Sequence, residues 1–246
     1  MAAPATRVTQ PRPRFAPFFL VMATVFIAVV AYGFGNTIPI RLIHPKIAPP
    51  LILWVHATLF VGWIVLFFTQ SALVRTRNLR MHRRLGIAVL AVGSLIPIVG
   101  IATSIVMDHI NIANKSMDNP QFVAIQISDL ACFAVFFALA AILRRKPALH
   151  RRLMFVATCV LMAAAFARFP SIGAITNDTL FFIVIYAGAD LLVACGILKD
   201  LIEEHTVSVV YRYGLPFLVI AQCITVTLYS IAPSWLVTFA RHITAS

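Results

Sequence analysis

Seven stretches of about twenty mostly apolar residues follow one another along this chain of 246 residues, separated by short polar connections. A helix rising 1.5 Å per residue needs about 20 such residues to cross a hydrocarbon layer of about 30 Å, so each stretch is long enough to span a bilayer. The spans are placed at 15–36, 49–74, 85–107, 121–143, 153–170, 179–198 and 214–236. The predicted fold is therefore all-α, an integral membrane bundle of seven transmembrane helices over 15–236. A basic tail over 1–14 precedes it and a short tail over 237–246 follows. Only 11% of the residues are charged, against about 25% in an ordinary soluble domain, which excludes a water-soluble enzyme.

The first run follows Arg7, Arg12 and Arg14 as a signal peptide would, but it is longer than a signal h-region of about 7–15 residues and reads as a retained helix. Cys132, Cys159, Cys195 and Cys223 fall one each in four different spans, so they form no metal or redox spacing and read as small packing residues. The lysines Lys46, Lys115, Lys146 and Lys199 read as loop or helix-end residues, which leaves no span with a lysine for a retinal-type Schiff base.

The net charge of +12 would suggest nucleic acid in a soluble chain; here it reports topology. Fifteen of the 20 Lys and Arg fall in the N-terminal tail and in the turns around 75–84, 144–152 and 199–212. The other side holds Arg41, Lys46, Lys115 and Arg241, while Arg168 falls inside the fifth span. Since Lys and Arg are retained in cytoplasmic loops, the N-terminus is placed inside and the C-terminus outside, in the inner membrane of a bacterial-type cell. The expected partners are anionic lipid headgroups, at about 1 kcal/mol per basic residue, and not nucleic acid.

Ionisable residues within spans are costly and are the default functional candidates. His56 lies about 9 Å below the outer boundary, Asp129 about 10 Å deep with Gln126 one turn above it, and Arg168 about 8 Å from the outer edge. Three helices thus bring a histidine, a carboxylate and an arginine to one layer, and Asp190, about 16 Å deep, continues it inward. His56, Trp63, Gln70 and Arg77 recur every seven residues, Gln126, Asp129 and Cys132 every three, and Tyr186 and Asp190 are four apart, so each set shares a helix face. Such stripes point into the bundle. They predict a ligand- or proton-binding group of His56, Gln126, Asp129, Arg168 and Asp190, with imidazole suited to proton traffic by its ordinary pKa near 6.5. Helix-to-helix hydrogen bonding in a structural or accessory subunit is the plainer alternative.

A second group, His82, Arg83, Arg84, His150, Arg151, Arg152 and His205, falls at the cytoplasmic boundary, where helix N-termini and basic residues favour a phosphate or lipid headgroup. Within it His-Arg-Arg-Leu occurs twice, starting at His82 and at His150, 68 residues apart. That offset suggests a parallel repeat of helices 2–3 and 4–5.

At these residues the chain resembles an uncharacterised family of bacterial polytopic inner-membrane proteins. The features that carry the resemblance are His56 to Trp63, His82-Arg83-Arg84-Leu85-Gly86, the turn ending His150-Arg-Arg-Leu-Met154, and Asp200 to His205 followed by Tyr211. It covers most of helices 2–7 and implies the fold without an activity. A looser similarity is to two-haem b-type transmembrane electron carriers, through His56-Ala57, Arg75 and His82. It implies haem b as an alternative cofactor; the residues themselves predict none, since His56 and His82 are about 39 Å apart along helix and turn and cannot share an iron. No phosphate-binding loop, H-E-x-x-H or G-x-S-x-G is present, so neither a catalytic group nor a metal site is predicted. The functional expectation is binding or transport of a small polar ligand or proton, with haem-b electron transfer as its rival.

Overall fold

A computed structural model describes residues 17–35, 37–45, 48–114 and 119–245. The tail over 1–14, Lys46, Lys115 and Asp118 lie outside these residues. Seven described helices are long and apolar enough to cross a membrane. They are α1 (Phe18–Gly35), α2 (Leu51–Arg75), α3 (Leu79–Ala113), α4 (Val123–Ile142), α5 (Pro147–Phe166), α6 (Asp178–Glu204) and α7 (Val209–Ile231). An eighth helix, α8 (Ser234–Ala245), follows them, and single turns of helix lie at 39–43, 120–122 and 170–173.

Local chemistry explains the boundaries. Asn78 caps α3 by accepting a hydrogen bond from the Met81 amide at 3.2 Å, and Asn177 caps α6 from Leu180 at 2.8 Å. Pro147 occupies the first position of α5, where its missing N–H costs nothing. Two limits differ from the sequence reading. Helix α3 runs for 35 residues, about 52 Å, so its ends project past the apolar layer and carry Arg80, Arg83, Arg84 and Asp108 on helix where a loop was expected. Helix α5 ends at Phe166, so Arg168 stands in the turn after the span and not within it. The seventh span also stops early, at Ile231, because Pro233 cannot continue it; Ser234 then starts α8.

The helices run up and down. Helix α5 packs against α1, α4, α6 and α7, while α2 packs on α1 and α3, and α3 on α4. In α5 67% of the apolar window is buried, against 17–39% in the other six spans, which makes it the central helix. Phe155 on α5 anchors the core, stacked on Phe26 of α1 and edge-on to Tyr211 of α7. Trp63 of α2 lies edge-on to Phe133 and Phe137 of α4, and its indole N–H donates to Thr158 Oγ1 of α5 at 3.3 Å. Gly33 permits the close crossing of α1 on α5, since a Cβ there would collide with the Ala165 carbonyl. The outward surface is apolar, with Leu51, Ile87, Ile98, Ile142, Leu191 and Ile231 all exposed. A band of that kind suits lipid, not water.

Candidate functional site

Polar side chains gather where α4, α5, α6 and α7 meet, at three levels between the arginine-rich end of the bundle and the opposite end. At mid-height Ser128, Asp129, Cys132, Cys159, Tyr186, Asp190 and Gln222 line a cavity of about 10 Å³. That is room for a single water, the lower limit for hydration. The Tyr186 hydroxyl donates to Asp129 Oδ1 at 3.0 Å, and Gln222 Nε2 donates to Asp190 Oδ1 at 3.1 Å. Thr225 donates to Ser128 at 2.7 Å or to the Ala221 carbonyl at 2.7 Å. Two carboxylates on different helices therefore share one slot, each held by a neutral partner.

At the opposite end Gln121, Thr176, Asn177, Asp178, Thr179, Tyr229 and Ser230 line an open bowl of about 400 Å³. Tyr229 accepts from Asn119 Nδ2 at 2.7 Å and donates to Asp178 Oδ2 at 2.9 Å, between the bowl and the apolar cluster that holds Phe182 and Tyr186.

At the arginine-rich end Arg152 of α5 meets the last turns of α6. Its Nε donates to Asp200 Oδ2 at 2.9 Å, Nη2 to Asp200 Oδ1 at 2.7 Å and to Glu204 Oε1 at 2.5 Å, and Nη1 to the Ala148 carbonyl at 2.9 Å. Lys199 Nζ reaches Asp200 at 3.3 Å, Glu203 at 3.0 Å and Glu204 at 3.3 Å. Arg152 and Asp200 are 2% and 0% exposed, so their two-pronged pairing compensates two fully desolvated charges. The Ser208 amide donates to Asp200 Oδ2 at 3.2 Å and ties in the start of α7.

The predicted groups are divided by this arrangement. Asp129 and Asp190 come together in the slot. His56 is not among its lining residues: its ring stacks on Phe60 at 4.2 Å, its Nδ1 is buried without a hydrogen-bond partner among the described residues, and the Arg168 charge is within electrostatic reach. Arg168 lies over the Phe34 ring at 4.4 Å and donates to the Ala164 carbonyl. Gln126 Oε1 is likewise buried without a partner among the described residues. The stripe on α2 does turn inward at Trp63 and at Gln70, whose Nε2 donates to the His82 carbonyl at 3.2 Å. Arg77 falls beyond the helix at a φ of 61°.

The boundary group is corrected at Arg152. Its guanidinium is taken up by Asp200, Glu204 and Ala148 and offers nothing to a headgroup. Lys199, expected at a helix end, is buried inside α6 and ion-paired. Arg151 lies over the Phe19 ring at 5.6 Å and near Glu204 at 3.5 Å, while Arg83, Arg84 and His205 are exposed. His82 and His150 are each the fourth residue of their helices and lie within electrostatic reach of one another, and His150 Nδ1 donates to the Ala140 carbonyl at 2.9 Å.

No three His, Cys, Asp or Glu among the described residues are placed to share a metal ion. No histidine lines the slot or the bowl. Sequence reasoning missed Asp200, Lys199, Gln222, Tyr211 and Tyr229. A signal for the last group existed: Tyr211, Gly214, Leu218, Gln222, Thr225 and Tyr229 recur at three and four along α7, one inward stripe from end to end. No family model, curated protein or solved structure matches the chain.

Proposed function

We propose that this membrane protein carries protons through the interface of α4, α5, α6 and α7. In this reading it sits in the inner membrane with its arginine-rich end in the cytoplasm among anionic headgroups, and the polar bowl opens outside. The observation that carries the proposal is the slot itself: Asp129 and Asp190, two carboxylates at membrane depth, line a space that fits one water. A solute larger than water has no room there, whereas a proton needs only a hydrogen-bonded chain. Tyr186 and Gln222 hold the carboxylates in place, and Tyr229 with Asp178 leads from the bowl towards them.

Purified protein in vesicles loaded with a pH-sensitive dye and driven by a potassium diffusion potential tests the reading. Acidification well above that of empty vesicles is expected, with a drop of tenfold or more in Asp129→Asn and in Asp190→Asn. A wild type with no flux, or Asn variants that are only less heat-stable, would replace it with the accessory role in which these bonds join helices. A Soret band lost in His56→Ala would replace it with electron transfer.

A further inference from the structure

Tyr211 stands between two of the three polar levels. It is the first member of the stripe on α7, is 1% exposed, and its hydroxyl is buried without a hydrogen-bond partner among the described residues. A phenol oxygen in that state costs free energy that phenylalanine, filling the same space, would avoid. Its position is also specifically allowed for. A Cβ at Gly196 of α6 would lie 2.5 Å from the hydroxyl and 2.9 Å from Phe155, so only glycine lets the oxygen reach that point. Gly196, which the hydroxyl abuts, stands on α6 one turn from Val193, which lines the slot with Asp190, and one turn from Asp200, so the oxygen lies between the two levels.

We propose that the Tyr211 hydroxyl is the relay that joins the slot to the Asp200 cluster, and so the step by which protons pass between mid-membrane and the arginine-rich end. This rests on the proton-carrying reading above. The oxygen accepts a proton from water on the slot side while its own proton passes to water on the side of Asp200, so the phenol is neutral before and after. The cluster offers a way out: the three cations Arg151, Arg152 and Lys199 balance the three carboxylates Asp200, Glu203 and Glu204, and Glu204, 40% exposed, opens it to solvent. Phe155 packs edge-on against the same ring and holds it in place.

Tyr211→Phe in the vesicle assay is the direct test, read as proton flux per folded protein alongside the melting temperature. A loss of tenfold or more with an unchanged or raised melting temperature is expected. Gly196→Ala, which leaves the phenol in place but pushes its oxygen aside, is expected to lower the flux as well. Wild-type flux per folded protein in Tyr211→Phe, with flux still lost in Asp129→Asn, overturns the relay and leaves the carrier intact. A wild type that carries no protons overturns both.

Discussion

Removing the Asp200 carboxylate takes the two-pronged, fully buried partner from the Arg152 guanidinium, only 2% exposed, and leaves it the part-exposed Glu204. Breaking a buried pair from one side costs about 3–5 kcal/mol, because the remaining charge stays desolvated. Asp200→Ala is therefore expected to lower stability by about that amount in detergent. Adding Arg152→Met should recover much of it, which a double-mutant cycle on thermal unfolding measures; additive losses would show that the two do not act as a pair. Neither partner was legible locally. Lys199-Asp200 and Glu203-Glu204 read as the solvated end of a span, and nothing within a window of neighbours announces an arginine 48 positions earlier. Asp129 and Asp190 were legible, since a lone carboxylate in an apolar run stands out by its cost. His56 stood out equally, but which helix its face meets depends on packing that periodicity does not encode.

At the scale of elements, α8 behaves differently from the spans before it. Leu236, Ala240 and Ile243 share one face and pack on Val123, Ala124 and Ile127, while Trp235 and Phe239, 60% and 48% exposed, share another. An amphipathic helix with an aromatic face lies along the membrane interface. In a Trp54→Phe background, lipids brominated near the headgroup are expected to quench Trp235 fluorescence; Leu236→Asp, by unseating the helix, should make Arg241 a trypsin site. Absence of both effects would detach α8 from the bilayer surface. The apolar run from 231 to 237 concealed the break, though Pro233-Ser234 spells a stop followed by a cap. Pro147 had the same message for α5: taken as its first residue, it moves the start from 153 to 147 and puts Arg152 inside the helix.

For the molecule as a whole, the seven apolar helices were legible because length and hydropathy alone decide them. Their order around α5 was not, since every face of a lipid-bounded helix is apolar and hydrophobicity does not separate lipid from protein. Orientation remains open to a direct measurement. In intact cells, on a Cys223→Ser chain, an impermeant maleimide is expected to label Ala174→Cys and to spare Thr76→Cys until the membrane is opened. The reverse pattern would invert the protein and with it the direction of the path.

The central place of α5 bears on how the chain is made. Its apolar segment is the least hydrophobic of the seven, and it carries Arg152 into the bundle. As it leaves the ribosome, this segment enters the membrane before its acidic partner on α6 has been synthesised. Lipid alone is a poor host for it. Its stable insertion is therefore expected to be complete only once Asp200, 48 residues later, is present to pair with Arg152. The ion pair thereby ties the placing of the central helix to the synthesis of the helix after it.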